Sequence, residues 1–74
     1  MTLGEFTRVF SNDTPVIIKL ISSGPVIANK IIYKGKLYQY SAKLDEEWPD
    51  NNFKNFDVTI AGITEGCLDI LIED

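Results

Sequence analysis

The sequence predicts a small α+β domain, with a mostly antiparallel β-sheet of four or five strands, an N-terminal helix, and a short helix before the last two strands. Apolar residues recur at helical spacing at the start of the chain, whereas later segments are rich in β-branched residues and are separated by turn residues. The connections are short, which favours antiparallel neighbours. A chain of 74 residues is expected to form a single domain, residues 1–74.

The first helix is predicted over residues 3–10. Thr2 and Glu5 have the spacing of a capping box, in which the Thr2 side chain accepts a hydrogen bond from the Glu5 backbone and Glu5 reaches back to Thr2. The apolar residues at helical spacing are Leu3, Phe6, Val9 and Phe10. Turn-favouring residues at 11–15 end the helix.

Residues 16–21 are predicted to form a strand in which Lys19 is the only polar residue. Both faces of this strand are mostly apolar, so it is buried on both sides or a partner covers one of them. After a turn at 22–25, a second strand is predicted over 26–33, and residues 37–40 continue it or begin a third. Gly35 forms either a tight turn or a bulge, and the missing Asn-Gly signature favours the bulge.

The second helix is predicted over residues 42–48. Ser41 is expected to be its N-cap, and Pro49 ends it. A polar loop follows at 50–52.

Two alternating segments, residues 56–61 and 67–73, are predicted to form a closing antiparallel hairpin around a turn at 62–66. The residues expected to point inward are Phe56, Val58 and Ile60 in the first segment and Leu68, Ile70 and Ile72 in the second.

The net charge of −4 is unevenly distributed along the chain. Residues 1–44 hold six basic and two acidic residues, whereas residues 45–74 hold one basic and nine acidic residues. Either the two halves pair and neutralise each other locally, or a basic face binds an anionic ligand or a second subunit.

The sequence offers no catalytic or metal-binding constellation. It has no histidine, one cysteine and no glycine-rich phosphate-binding motif, so we expect no enzyme, no metal and no cofactor. Adjacent acids near Asp45 are typical of a solvated helix surface. The single Cys67 fits a reducing compartment, and neither a signal peptide nor a membrane span is apparent, so we expect a cytoplasmic protein that binds neither membrane nor duplex nucleic acid.

A lysine- and tyrosine-rich segment is the candidate ligand-binding site. Lysines supply phosphate contacts and tyrosine rings stack on bases, whereas the structural alternative is a sheet edge that lysines protect from aggregation. The candidate residues are Lys30, Tyr33, Lys34, Lys36, Tyr38, Tyr40 and Lys43. Trp48 is either a lid over the core or an anchor for a protein partner.

The chain also resembles a group of small accessory proteins encoded by phages and mobile elements of Gram-positive bacteria, most of which have no assigned function. The resemblance is one of pattern and is carried by Thr2-Leu3-Gly4-Glu5-Phe6, Asn12-Asp13-Thr14-Pro15-Val16-Ile17-Ile18, Tyr33-Lys34-Gly35-Lys36-Leu37, Val58-Thr59-Ile60 and Leu68-Asp69-Ile70-Leu71-Ile72. It implies a role against host defence but assigns no functional residue.

From these observations we expect a non-catalytic binding protein that forms a homo-oligomer and sequesters an anionic nucleotide signal in the host cytoplasm. The alternatives are an inhibitor of a host defence enzyme, acting through Trp48 and the acidic loop 45–50 in the manner of CRISPR inhibitors, or a structural protein of the phage.

Overall fold

The computed structural model describes residues 1–22 and 28–73. The elements in these ranges are α1 (Leu3–Thr7), β1 (Pro15–Ser22), β2 (Ala28–Lys36), α2 (Tyr40–Glu47), β3 (Asp57–Thr64) and β4 (Cys67–Glu73), with 3-10 turns at Leu37–Gln39 and Phe53–Asn55. The strands form one sheet in the order β2-β1-β4-β3. The predicted α+β class is thus confirmed, with a four-stranded sheet. The predicted turn at 22–25 and the start of the second strand lie outside the described residues, except for Ser22.

The two central strands, β1 and β4, pair in parallel, whereas β1–β2 and β3–β4 pair antiparallel. Ile18 lies opposite Ile70 and Leu20 opposite Ile72 in the parallel ladder. Val16, Ile18 and Leu20 of β1 pack in or against the core, whereas Ile17 and Lys19 lie on the opposite face of the sheet.

The core lies on one face of the sheet, under both helices. Its fully buried side chains are Leu3, Val16, Ile18, Ile70 and Ile72. Leu44 of α2 and Phe53 join the same cluster. The predicted inward positions of Leu68, Ile70 and Ile72 are confirmed.

Helix α1 is shorter than predicted and ends at Thr7 rather than at residue 10. The capping box between Thr2 and Glu5 is present as predicted. The Thr7 hydroxyl donates to the Gly4 carbonyl, and the Phe10 N–H donates to the Thr7 carbonyl in a tighter turn. This local side-chain bond competes with the continuation of the helix.

Strand β2 runs through Gly35, so the glycine does not form a hairpin. The bulge in the β1–β2 pairing lies at Ile32 and not at Gly35. Tyr33 pairs with Ile18 and Ile31 with Lys19, so Ile32 has no partner on β1. The prediction that residues 37–40 belong to a strand is wrong. Long-range backbone bonds turn the chain there, because the Leu37 and Tyr38 N–H groups donate to carbonyls of residues 14 and 12.

Helix α2 begins earlier than predicted, and Ser41 lies inside it rather than at its N-cap. The Ser41 hydroxyl accepts a hydrogen bond from Lys54 Nζ at 3.1 Å. The helix ends before Pro49 as predicted, and the Trp48 N–H closes its last turn on the Leu44 carbonyl.

Strand β3 extends to Thr64, so the predicted turn shrinks to Glu65 and Gly66, both with positive φ. A bulge between Val58 and Ile60 leaves Thr59 without a partner on β4. The extra residue reverses the alternation, and Ile60 points away from the core with 63% of its surface exposed. The predicted inward orientation of Ile60 is therefore wrong.

Candidate binding surfaces

The structure distributes the predicted lysine–tyrosine site over several surfaces. Lys30 lies on the helix side of the sheet, with its ammonium 4.4 Å from the centre of the Trp48 ring. Tyr33 is buried in the core, where its hydroxyl donates to the Lys36 carbonyl. Burial raises the pKa of the Tyr33 hydroxyl. Lys34 pairs with Ile17 and therefore shares the opposite face of the sheet.

The remaining predicted residues follow the turn into α2. Lys36 is exposed at the end of β2, and Lys43 is exposed on α2 with its ammonium 3.9 Å from Glu46. Tyr40 is half-buried and shares a 2.9 Å hydrogen bond with the Thr7 hydroxyl, whereas Tyr38 is exposed. The seven side chains thus do not share one surface.

Trp48 packs at the margin of the core. Its ring meets Phe53 edge-on at a centroid distance of 6.0 Å, and Lys30 covers the ring. Its indole N–H is buried and finds no acceptor among residues 1–22 and 28–73. This arrangement matches the alternative in which Trp48 is a lid over the core.

The face of the sheet opposite the helices, here called the open face, is uncovered within the described part of the chain. One row of paired residues crosses all four strands and places three apolar side chains around one lysine. This row consists of Ile31, Lys19, Leu71 and Ile60. A neighbouring row places Lys34, Ile17, Asp69 and Gly62 side by side. Ile31 and Ile60 are the most exposed of these apolar residues.

An ion pair lies at the centre of the open face. Lys19 Nζ is 3.2 Å from Asp69 Oδ2, and the two side chains are 31% and 25% exposed. This pair joins the basic half of the chain to the acidic half, as the local-neutralisation hypothesis predicts. A shallow hollow of about 230 Å³ surrounds the pair and is lined further by Asn29, Thr64 and Leu71.

A second surface, here called the α1–α2 groove, lies between α1 and the turn into α2. It encloses about 320 Å³. Its lining residues are Gly4, Thr7, Arg8, Asn12, Leu37, Tyr38, Tyr40 and Lys54. The lining thus includes two cations, Arg8 and Lys54, and the exposed Tyr38. An adjoining hollow of about 470 Å³ shares Arg8 and Lys54.

Sequence reasoning did not select Arg8 or Lys54 as site residues. Both residues line the groove because α1 docks on the 3-10 turn at Phe53–Asn55, where the Leu3 N–H donates to the Phe56 carbonyl at 2.9 Å. Lys54 is partly neutralised, because its ammonium is 3.9 Å from Asp45. No local sequence signal indicates that two residues 46 positions apart line the same groove.

Comparison with known proteins gave no match to a family model, to a curated protein or to a solved structure. Within residues 1–22 and 28–73, no helix is long and apolar enough to cross a membrane. The same residues hold no cluster of three His, Cys, Asp or Glu side chains suited to a metal ion. The open face and the α1–α2 groove are the two candidate binding surfaces of the described residues.

Proposed function

We propose that this chain is a non-catalytic binding protein whose open face is the contact surface for a protein partner. The observation that carries the proposal is the asymmetry of the sheet. Both helices pack on one face, whereas the other presents apolar side chains to solvent. Uncovered apolar surface of this kind is typical of interaction sites.

The chemistry of the open face favours a protein over a small molecule. The hollow of about 230 Å³ is shallow and falls below the roughly 300–1,000 Å³ of small-molecule sites. The Lys19–Asp69 pair leaves the centre of the face neutral, while Lys34 and Asn29 provide a polar rim. The exposed Ile31 and Ile60 lie on either side of this pair, on the two edge strands. A face that mixes apolar side chains with polar groups in this way is typical of a non-obligate protein interface. The matching partner surface is apolar, with an acidic group opposite Lys34.

The resemblance to phage accessory proteins supports a host enzyme as this partner. The role proposed for the chain is then that of an inhibitor that occupies a surface of a host defence enzyme. This role needs no chemistry from the chain itself. It differs from the sequence-based version in its location, because the contact is the open face rather than Trp48 and the acidic loop.

The test compares the parent with two open-face variants, Ile31→Asp and Leu71→Asp, and with a matched control, Val9→Asp. Val9 is exposed, as Ile31 is, whereas Leu71 is half-buried; Val9 lies beyond the end of α1. Proteins captured from a Gram-positive bacterial lysate by the parent are identified, purified and titrated calorimetrically against each variant. We expect the control to bind like the parent and the open-face variants to bind at least tenfold more weakly. Equal binding by all four forms contradicts the proposal.

A second candidate function, the holding of a small anionic ligand of the nucleotide class, is favoured by the α1–α2 groove. Arg8 and Lys54 can contact phosphate while Tyr38 stacks on a base. Only Tyr38 and Tyr40 of the seven residues named from the sequence line this groove.

Calorimetric titration with mono-, di- and cyclic nucleotides tests this candidate. Tyr38→Ala should weaken binding by roughly 1–3 kcal/mol if the ring stacks on a base. Lys54→Gln should also weaken it, whereas Lys34→Gln, on the other side of the sheet, should not. The candidate fails if no nucleotide binds the parent.

A further inference from the structure

The two edges of the sheet differ in charge. The edge strand β2 carries Lys30, Lys34 and Lys36, which is a common protection of an edge against pairing with another chain. The opposite edge strand, β3, has no charged residue from Val58 to Thr64. The β2 edge, here called the guarded edge, thus carries lysines that oppose pairing with another chain, whereas the β3 edge carries none from Val58 to Thr64.

The start of β3 is already occupied by the N-terminus of the same chain. The Val58 N–H donates to the Met1 carbonyl at 2.9 Å, and Thr2 forms a β-bridge with Asp57. The outer edge that remains uncovered by residues 1–22 and 28–73 is therefore Thr59–Thr64. Six residues are a typical length for a strand pairing.

Isoleucines project from both sides of this free edge. Ile60 pairs with Leu71 on the open face, whereas Ile63 pairs with Leu68 on the helix side. Ile63 is 79% exposed, although its partner Leu68 is buried. An added strand would cover part of both isoleucines.

We propose that the partner of this edge is a second copy of the chain, with the two β3 strands pairing antiparallel about a two-fold axis. The chain itself supplies an uncharged strand of the required length, and a two-fold contact is self-complementary. The resulting eight-stranded sheet has only the lysine-bearing β2 edges at its ends. The assembly therefore closes as a dimer and does not grow into a fibre.

Charge selects the register of this pairing. Asp57 and Glu65 flank the free edge. In a pairing centred on Ala61, Asp57 of each copy lies opposite Glu65 of the other copy. Like charges directly opposite each other destabilise a sheet. A pairing centred on Gly62 avoids this clash and places Ala61 opposite Ile63 of the second copy.

If the open face binds a protein partner, as proposed above, the dimer also enlarges the surface that is available to that partner. Strands about 4.8 Å apart and about 26 Å long give one open face an area of about 500 Å². A standard interface takes about 800 Å² from each partner. Because the two-fold axis is perpendicular to the sheet, both open faces lie on the same side of the dimer. Together they form a continuous surface of about 1,000 Å².

Light scattering at tens of micromolar tests the dimer with a pair of lysine substitutions. Ile63→Lys places a charge at the free edge but leaves the open face unchanged, whereas Ile31→Lys alters the open face at the guarded edge. We expect twice the chain mass of 8.3 kDa for the parent and for Ile31→Lys, and a monomer for Ile63→Lys. A monomeric parent, a dimeric Ile63→Lys or a monomeric Ile31→Lys overturns the proposal.

A cross-linking experiment keeps the test independent of folding in the lysine variants. In a Cys67→Ser background, Gly62→Cys should form a disulfide with its own counterpart, because directly opposite Cα atoms are about 4.5–5.5 Å apart. Lys34→Cys in the same background should remain monomeric on a non-reducing gel. The absence of a Gly62→Cys cross-link contradicts the register. A monomeric parent that still binds its partner through the open face would overturn the dimer alone.

Discussion

Lys19 and Asp69 form a 3.2 Å ion pair that bridges the two central, parallel strands β1 and β4 on the open face. The strands bring together residues 50 positions apart in the sequence. The two charges offset each other at the centre of a face that also presents Ile31, Ile60 and Leu71.

The Lys19–Asp69 pair is expected to stabilise the fold only slightly, because both side chains are partly exposed to water. A double-mutant cycle with Lys19→Met and Asp69→Leu should give a coupling energy of about 0.2–1 kcal/mol, the range of exposed ion pairs. Urea unfolding of the four forms measures it. A coupling of several kcal/mol would show that the pair is buried, for example under a partner subunit.

Gly35→Ala is expected to destabilise the protein. Gly35 has φ = 154°, and an added Cβ would lie 2.9 Å from the Tyr33 hydroxyl oxygen. The cost should be about 1–3 kcal/mol by chemical denaturation, as for other strained backbone positions. Tyr33→Phe in the same chain should recover part of it, because the clashing oxygen is removed. Gly62→Ala in the Ile63→Lys background, which removes the proposed β3–β3 contact, is the control, since a Cβ there meets nothing within 4 Å in the same chain. Equal losses at the two glycines would contradict this account.

Ile70→Ala is expected to cost about 2–5 kcal/mol, because it leaves a cavity among fully buried side chains. Ile31→Ala removes the same atoms from an exposed position, so its effect should be within about 0.5 kcal/mol. Thermal and urea unfolding of both variants provide the comparison. Melting of Ile70→Ala within a degree or two of the parent would show that the closing strand is not core.

The capping box predicts a pH-dependent contribution of Glu5 to stability. Hydrogen bonds from the Thr2 backbone and side chain lower the pKa of Glu5 below its ordinary value of 4.5. A lowered folded-state pKa means that the contribution is present above pH 4.5 and is lost as the pH falls through the folded-state pKa.

The melting temperatures of the parent and Glu5→Gln, followed from pH 7 to pH 3, measure this contribution. The gap between the two proteins should be largest at neutral pH and should close in acid, where the parent carboxyl is also uncharged. A gap that does not change with pH would show that the Glu5 charge contributes nothing to the cap.

The elements that the sequence predicted correctly depend on contacts between near neighbours. The capping box joins residues three apart, and the alternation of Leu68, Ile70 and Ile72 follows directly from strand geometry. The errors arise from distant contacts. The chain leaves the sheet after Lys36 because the Leu37 and Tyr38 N–H groups donate to the Thr14 and Asn12 carbonyls. No pattern within residues 37–40 encodes this.

The candidate sites were harder to predict for the same reason. Lys30 and Tyr33 are close in sequence but lie in different environments, one over Trp48 and the other in the core. The bulge at Thr59 reverses the orientation of Ile60, and alternation alone cannot locate such a bulge. The apolar character of both faces of β1, in contrast, was visible in the sequence, although its place as a central strand of the sheet was not predicted.

The most direct test of the open face as the interaction surface is a methyl NMR titration. Isoleucine, leucine and valine methyl groups are labelled, and the captured partner is added in purified form. We predict shifts or broadening concentrated at Ile17, Ile31, Ile60 and Leu71. The methyl groups of Val9, at the opposite side of the fold, should remain unchanged. Perturbations confined to residues around α1 and α2, with the open-face methyl groups unaffected, would contradict the account.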